Sequence, residues 1–304
     1  MTVLLQGDLG AGKTTFTQGL ARGLGYEGHV VSPTYALEQR YETPTGPLLH
    51  LDLYRLNATD ASRLLRESDD HAGVRCVEWP ERTATPHTHD RMIEVAIAEI
   101  PAGRRIDITF TDTAVPTRTQ IETWRREMMM PHIAAHCDAV ADLCDALARR
   151  MMEDGIPVRP LLLRRAAEIH DLLRFIDFRP GAAPAGMQDD PAAMNVWKGL
   201  REKYRGLKHE AAGAAFLREQ GFDALAAIVE VHGLLIPSPQ RKMIEQQLLF
   251  YADKRVQEST VVSLEERFDD FARRYCGGEP SEEQTAWLEE VKALEEELFG
   301  TKIP

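Results

Sequence analysis

Apolar residues near the start of the chain occur in short runs that glycine-rich or polar segments separate. The run TVLLQ (2–6) leads into a glycine-rich loop, and TTFTQGLARGLG (14–25) follows with apolar residues at helical spacing. This order predicts a strand, a loop and a helix. LLHLDLY (48–54) and VRCVEW (74–79) are apolar enough to predict two further strands.

Residues 92–100 and 105–112 alternate apolar and polar positions, with PAGR between them. Alternation of this kind predicts an antiparallel hairpin at the edge of a sheet. The pattern changes in the polar, proline-containing segment that follows. We therefore predict an α/β unit over 1–114 and a linker over 115–120.

From residue 121 onward the apolar positions recur every three or four residues, which predicts an all-α bundle over 121–278. The segments 132–151 and 164–176 show this spacing clearly, whereas 179–193 has the composition of a loop. The end of the chain, 279–304, predicts an acidic amphipathic helix with a capping box at its start. We expect that helix to be a half-packed cap exposed to solvent.

The composition changes this picture little. The chain has 304 residues, 43% of them hydrophobic and 28% charged, and this length favours two domains. Its net charge of −12 argues against nonspecific nucleic-acid binding through a basic surface. No apolar run is long enough to span a bilayer, and no C-x-x-C pair suggests a zinc ribbon, so we expect a cytoplasmic protein without membrane contact. The cysteines are Cys76, Cys137, Cys144 and Cys276.

The loop GDLGAGKTT (Gly7–Thr15) matches G-x-x-x-x-G-K-[ST], a pattern of phosphate-binding loops. Its glycines allow backbone N–H groups to approach phosphate oxygens, and the N-terminus of the following helix favours negative charge. Lys13 is predicted to reach the phosphates, and Thr14 to place its hydroxyl on Mg²⁺. A glycine turn without function is the alternative. The residues predicted to bind nucleotide here are Asp8, Leu9, Gly10, Ala11, Gly12, Lys13, Thr14 and Thr15.

Three more segments follow this loop: SPTY (32–35), HLDLYRL (50–56) and VEWPER (77–82). In this order and spacing, residues 2–112 resemble the TsaE (YjeE) family. The resemblance implies an ATP- and Mg²⁺-dependent ATPase that is slow by itself. It also implies a role in forming threonylcarbamoyladenosine at position 37 of tRNA, with TsaB- and TsaD-like partners and with tRNA reached only through their complex.

The same resemblance implies roles for three polar residues. Asp52 would be the carboxylate associated with Mg²⁺, and Glu78 would act beside Lys13 in catalysis, near the γ-phosphate, by orienting water or metal. Thr34 would bind the nucleotide as a switch-type threonine. The structural alternatives are that Asp52 caps a turn and that Glu78 pairs with a nearby arginine. For Trp79 we favour a packing role over a contact with adenine or a partner.

Members of the family usually have a helix-bearing segment before the strand that leads into the phosphate loop, and this chain begins at the strand. Either a misplaced start codon or an incomplete adenine side of the pocket is therefore expected. A small-molecule kinase is a third hypothesis for this half of the chain. We rank it last, because no acceptor lid or arginine-rich clamp is evident between Thr34 and Asp52.

The helical half contains histidines and aspartates in the order H…HD…H…H…D. This order, with flanking segments such as HIAAHCDAVADLC and YADKRVQEST, resembles the HD-domain metal-dependent phosphohydrolases over about residues 125–275. The resemblance implies a centre of two divalent ions, Mn²⁺, Fe²⁺ or Zn²⁺, which imidazoles and carboxylates can ligate. The ligands would be His136, His170, Asp171, His209, His232 and Asp253.

In that centre His136, His170, Asp171 and Asp253 would hold the first ion. Asp171 would also bridge to the second, a catalytic role, with His209 and His232 completing that site. Such ions bind phosphate and activate water for attack at phosphorus. We expect cleavage of a nucleotide-type phosphoester or phosphoanhydride. Lys254 and Arg255 are candidates for phosphate contact or ordinary surface cations.

Two questions about the helical half stay open at this point. The basic segment NVWKGLREKYRGLKH (195–209) either stacks a base of the substrate on an aromatic ring or packs its aromatic residues inward, and we favour the second. The HD half is either an enzyme or a non-catalytic sensor that regulates the ATPase. We favour the enzyme, because all six ligand positions are filled.

Overall fold

The computed structural model describes residues 1–84, 92–178, 191–275, 277 and 279–300. The chain divides into two compact units, Met1–Thr113 and Ala114–Pro304. Each unit has its own hydrophobic core. Among the described residues, no helix combines the length and the apolar character that a membrane crossing requires.

The first unit is built on a six-stranded sheet with the strand order β2-β3-β4-β1-β5-β6. Strands β3, β4, β1 and β5 are parallel to one another, whereas the edge strands β2 and β6 pair antiparallel with β3 and β5. An α/β fold with a largely parallel sheet is thus confirmed for this unit. The strands are β1 Thr2–Gln6, β2 Glu38–Tyr41, β3 Leu48–Asp52, β4 Val74–Glu78, β5 Met92–Ile100 and β6 Gly103–Phe110.

Two helices accompany this sheet, α1 (Lys13–Gly23) and α2 (Ala58–Glu67). Alternate residues of β1 belong to different core clusters, because successive side chains of a strand point to opposite faces. Val3 and Leu5 belong to one cluster, which includes Ala21 of α1. Leu4 belongs to the other, which includes Leu65 of α2. The parallel strands are therefore covered on both faces, as their continuous apolar runs require.

The predicted strands and edge hairpin are present, but two elements of this unit were not predicted. β2 has only four residues, and its sequence EQRY lacks an apolar pattern. α2 did carry a signal, because the side chain of Asn57 accepts a hydrogen bond from the Asp60 N–H and caps the helix. The second strand of the hairpin spans 103–110 rather than 105–112, since Ile100 pairs directly with Gly103.

The second unit is helical, as the spacing of its apolar residues predicts. One core joins most of its helices, and its largest fully buried side chains include Trp197, Tyr251 and Phe175. α11 begins with the predicted capping box, in which Ser281 pairs with Gln284. The helices are α3 Arg118–Met128, α4 Pro131–Glu153, α5 Pro160–Ile169, α6 Pro191–Lys203, α7 His209–Glu219, α8 Asp223–Val229, α9 Ile244–Lys254, α10 Leu264–Tyr275 and α11 Glu282–Phe299.

Two predictions for this unit were wrong in detail. An all-α unit was expected, but a small hairpin of β7 (Val256–Gln257) and β8 (Thr260–Val261) follows α9. A helix was expected over 164–176, but α5 ends at Ile169. Beyond this point, backbone hydrogen bonds join residues three positions apart, and a 3-10 turn follows at Arg174–Asp177. Of the predicted loop 179–193, residues 179–190 lie outside the described part of the chain, as do Cys276 and residues 301–304.

Candidate functional sites

The glycine-rich loop connects β1 to α1. Gly7 has a φ of 144°, and a Cβ there would lie 2.4 Å from the carbonyl oxygen of Ile97, so only glycine allows the loop to pass this close to β5. Gly12 has a φ of 113° and precedes the first residue of α1. The residues predicted to bind nucleotide, from Asp8 to Thr15, thus lie in the loop and the first turn of α1, where backbone N–H groups are available to an anion.

Lys13 is folded back onto this loop. Its Nζ donates to the carbonyl oxygens of Gly7, at 2.7 Å, and Asp8, at 2.9 Å. The same Nζ lies 3.8 Å from the centre of the Trp79 ring, in a cation–π contact. Burial lowers the pKa of Lys13, although the carboxylate of Glu78 opposes this shift. The ammonium group is therefore held at the loop by uncharged partners, two carbonyl oxygens and an aromatic ring.

Glu78 ends β4 beside the phosphate loop. Its Oε1 accepts a hydrogen bond of 2.9 Å from the hydroxyl of Thr14, the residue expected to contact Mg²⁺. The same oxygen lies 2.9 Å from Nε2 of His50, which belongs to the adjacent strand β3. The structural alternative, in which Glu78 pairs with a nearby arginine, is not needed to explain this buried carboxylate. His50 was not among the residues selected from the sequence.

Asp52 ends β3, next to the end of β4. Its Oδ2 accepts from the hydroxyl of Thr34, and its Oδ1 accepts from the backbone N–H of Tyr54 at 2.9 Å. The structure thus joins two of the residues that the family resemblance selected. Asp52 also caps a turn, which was the structural alternative, and its association with Mg²⁺ stays a prediction.

Two further residues shape this pocket. Trp79 has a φ of 61° and packs against Tyr54, with ring centres 4.9 Å apart, while its ring also faces Lys13. Arg104, in β6, donates from Nε to the carbonyl oxygen of Ala11 at 3.0 Å and ties the loop to the edge hairpin. Sequence reasoning missed Arg104, because a single cation in an edge strand carries no signal of its own.

In the second unit, six side chains from five separate parts of the sequence come together. His136 lies on α4 and Asp253 on α9, 117 positions apart, and their side chains are 3.0 Å from each other. Two of the six follow the end of α5, one begins α7 and one follows α8. All six are buried or nearly so. They are the residues selected from the sequence, namely His136, His170, Asp171, His209, His232 and Asp253.

Asp253 organises one side of this cluster. Its Oδ1 lies 3.0 Å from Nε2 of His136 and 3.6 Å from Nε2 of His170. Burial alone would raise the pKa of Asp253, but the charge of Lys254 and the hydrogen bond with His136 hold it well below its usual value. Burial would lower the pKa of His170, whereas Cys137 and Asp253 raise it well above the ordinary value. The environment on this side therefore favours positive charge.

Asp171 organises the other side. Its Oδ1 lies 3.0 Å from Nε2 of His209 and 3.5 Å from Nε2 of His232. Burial would raise the pKa of Asp171, but hydrogen bonds with both imidazoles hold it well below its usual value. Arg174 places Nη1 2.9 Å from Nε2 of His209, so a cation already faces this side of the cluster.

The tautomers of these histidines follow from the partners of their Nδ1 atoms. Three of the rings place Nδ1 2.6–3.0 Å from a main-chain carbonyl oxygen. Because a carbonyl oxygen only accepts, Nδ1 must carry the hydrogen, and a neutral ring then presents a bare lone pair at Nε2. The pairs are His136 with Glu258, His170 with Ala167 and His232 with Val229.

His209 follows the same rule with a carboxylate in place of the carbonyl. Its Nδ1 lies 2.6 Å from Oδ2 of Asp177, while its Nε2 lies 3.3 Å from Nε2 of His232. Burial would lower the pKa of His209, but Asp171 and Asp177 raise it, so His209, like His170, can hold a second hydrogen on Nε2. Nε2 of His170 is buried and has no hydrogen-bond partner among the described residues. This donor set fits a divalent cation, which would displace those hydrogens and be ligated by the imidazole nitrogens and carboxylate oxygens.

A cavity of about 450 Å³ opens beside this cluster. Lys254 lines it, is buried and contacts Asp253, so it is not an ordinary surface cation. Arg255 instead donates to the carbonyl oxygen of Val262. The far wall comes from α10 and α11, including Phe271 and Trp287, so the C-terminal helix is more than a solvent-exposed cap.

The basic segment 195–209 packs inward, as we favoured. Trp197 is buried and stacks on Phe175, with ring centres 4.4 Å apart and planes 11° from parallel. Tyr204 is also buried, and its hydroxyl donates to Glu219. These rings are part of the core and are not available to stack on a base.

Comparisons with known proteins bear on the first unit. The family model "Threonylcarbamoyl adenosine biosynthesis protein TsaE" matches residues 1–106. A curated "tRNA threonylcarbamoyladenosine biosynthesis protein TsaE" from Streptomyces coelicolor is 39% identical over 120 residues, which are 38% of this chain and 74% of that protein. The chain belongs to the TsaE family. The resemblance inferred from the sequence is thereby confirmed for the first unit.

Other TsaE relatives are covered less completely. The protein from Synechocystis is 52% identical over 85 residues, 26% of this chain and 54% of the relative. The one from Bacillus subtilis is 39% identical over 107 residues, 35% of this chain and 66% of the relative. The chain therefore spans between about half and two thirds of these relatives. A crystal structure of Bacillus subtilis YdiB aligns with 36% of this chain and 68% of its own, at 32% identity and a TM-score of 0.27.

Proposed function

We propose that the first unit binds ATP with Mg²⁺ and hydrolyses it as the ATPase subunit for threonylcarbamoyladenosine formation at position 37 of tRNA. Membership of the TsaE family carries this proposal. The loop geometry supports it, since backbone N–H groups, Lys13 and Thr14 stand together at the start of α1. The partners would be TsaB- and TsaD-like proteins, with tRNA reached through their complex.

Each polar residue of this pocket has a definite task in the proposal. Lys13 would exchange its two carbonyl partners for phosphate oxygens, which bind an ammonium group more strongly. Thr14 would contact Mg²⁺, with Asp52 and Glu78 as the nearby carboxylates. Thr34, whose hydroxyl donates to Asp52, would couple the conformation of its own loop to the state of the bound nucleotide.

Complementation tests this function directly. A bacterial strain depleted of its own TsaE would receive this chain, and the modified nucleoside would be measured by mass spectrometry of digested tRNA. We expect the wild-type chain to restore the nucleoside and the Lys13→Ala variant not to restore it. Normal ATP binding without any restoration would contradict the role in tRNA modification.

We infer that the second unit is a metal-dependent phosphohydrolase, because one observation favours this function specifically. Four imidazoles direct Nε2 at two carboxylates, and a divalent ion would replace the hydrogens that link them in the metal-free cluster. Asp253 with His136 and His170 would hold one ion. Asp171 with His209 and His232 would hold the other, and His170 is close enough to Asp171 to link the two groups.

The cavity beside this cluster suits a phosphorylated small molecule. Divalent ions in such a centre polarise phosphate oxygens and activate water for attack at phosphorus. Arg174, Lys254 and Arg267 line the cavity and supply positive charge, while Phe271 and Trp287 supply an aromatic wall. A nucleotide has both features, a phosphate and a planar base, and pockets of this size hold ligands of that order.

Two measurements test this second function. Elemental analysis of the purified protein would detect Mn, Fe or Zn, and we expect up to two ions per chain. A panel of nucleotides with added Mn²⁺ would then detect phosphate release. Metal and nucleotide binding without release would favour the non-catalytic sensor, whereas a protein that takes up no metal would contradict both versions.

A further inference from the structure

A buried histidine lies beneath the nucleotide pocket, and nothing described so far gives it a role. His50 occupies the middle of β3 and is 0% exposed. Its Nε2 lies 2.9 Å from Oε1 of Glu78, while its Nδ1 has no hydrogen-bond partner among the described residues. Ionised Glu78 can only accept, so a neutral His50 must carry its hydrogen on Nε2.

The position of His50 does not call for a polar side chain on packing grounds. Leu48, Leu49 and Leu51, its neighbours in the strand, are fully buried leucines. An imidazole buried among them carries a cost in desolvation that a fourth leucine would avoid. The hydrogen bond to Glu78 offsets part of this cost, so the contact with Glu78 is the feature that explains the residue.

The hydrogen bond between His50 and Glu78 also affects the phosphate loop, because Glu78 contacts Thr14 of that loop. The same Oε1 that faces His50 accepts the hydroxyl hydrogen of Thr14, at 2.9 Å. A hydroxyl group has one hydrogen and two lone pairs. Once its hydrogen is committed to Glu78, Thr14 must present its lone pairs to its other neighbours, which is the orientation that a magnesium ligand needs.

We propose that His50 is a positioning residue that fixes Glu78 and, through it, sets the hydroxyl of Thr14 for Mg²⁺. The proposal rests on the ATP-binding function proposed for the first unit. The three side chains form a chain of hydrogen bonds from the interior of the sheet to the loop. Its consequence is that His50 governs how much Mg²⁺ strengthens nucleotide binding and leaves the contacts with the nucleotide itself unchanged.

The test compares two substitutions of His50. His50→Leu matches the leucines around it but cannot donate to Glu78, whereas His50→Gln places an N–H donor at a similar reach. Calorimetry with a non-hydrolysable ATP analogue, with Mg²⁺ and with a chelator, gives the Mg²⁺ enhancement of affinity for each protein. Cys76→Ala is the matched control, because Cys76 is the buried cross-strand neighbour of His50 and has no bond to Glu78.

We expect His50→Leu to lose about 10-fold of the Mg²⁺ enhancement, as second-layer contacts of metal ligands commonly do, with little change in Mg²⁺-free affinity. His50→Gln should recover most of it, and Cys76→Ala should keep it all. Wild-type enhancement in His50→Leu would overturn the proposal, as would equal losses with and without Mg²⁺, which indicate packing alone. A wild-type protein that binds no nucleotide would contradict the proposed function itself.

Discussion

The nucleotide pocket and the histidine–aspartate cluster, the two sites that we propose, are built in opposite ways. The first is mostly one continuous loop, Gly7–Thr15, whose main-chain N–H groups do much of the binding that we propose. The second consists of side chains from several helices, two of which stand 117 positions apart. A pocket of the first kind can be recognised from a contiguous sequence motif. One of the second kind forms only when the whole helical bundle is folded correctly.

The two sites also differ in how completely their polar groups are hydrogen-bonded without a ligand. Around the nucleotide pocket, each carboxylate faces donors: Glu78 faces Thr14 and His50, and Asp52 faces Thr34 and a backbone N–H. In the histidine–aspartate cluster, four imidazoles converge on two carboxylates, and ring hydrogens or a cation must link them. We therefore expect the first site to keep its geometry without a ligand and the second to gain cohesion from the ions that we propose.

The largest effect should come from removing the central carboxylate of the cluster. Asp171→Ala leaves His209 and His232 without the oxygen that joins them, so we expect elemental analysis to show loss of one ion or both. Nucleotide affinity of the first unit should stay at the wild-type value. Full metal content in the variant would remove Asp171 from the ligand set.

Lys13→Ala is the reciprocal change. It removes the only side-chain ammonium of the phosphate loop, so calorimetry should detect no ATP binding, since charge-assisted contacts with phosphate are lost. The metal content of the helical unit should not change. If metal were lost together with nucleotide binding, the description of two separate sites would be wrong.

Trp197→Ala tests the packing of the core in the helical unit separately from its candidate site. Trp197 is buried and stacked on Phe175, so the substitution should lower the free energy of unfolding of that unit by about 3–5 kcal/mol. Urea denaturation followed by circular dichroism measures this. A change well below 1 kcal/mol would instead fit an exposed ring, available to a substrate.

The smallest effect should come from Asp177→Asn. Asp177 holds Nδ1 of His209, and an amide supplies a weaker, uncharged acceptor there. Titration of the metal-depleted protein with Mn²⁺ should show affinity reduced about 10- to 100-fold at one site, with the fold unchanged. Glu219→Gln, which changes an exposed carboxylate that pairs with Lys203, is the control and should leave affinity unaltered.

The sequence predicts much of this molecule, and the gaps have physical causes. Apolar runs identify the strands, and the order of histidines and aspartates selects six residues that do converge. The main-chain oxygens that orient three of those histidines have no signature in residue type, and two-residue strands such as β7 are too short for periodicity. His50 lay inside a predicted strand, where a polar side chain gives no sign of what it faces.

The turn of the β7–β8 hairpin should tolerate a change of side chain better than a change of length. Glu258 adopts a left-handed φ of 56°, and its backbone carbonyl, not its side chain, holds Nδ1 of His136. Removing this exposed side chain should therefore leave the contact with His136 intact, and glycine would suit the position best. Shortening or lengthening the turn by one residue would displace that oxygen and disturb the proposed ion site, an effect that no substitution scan of the turn would reveal.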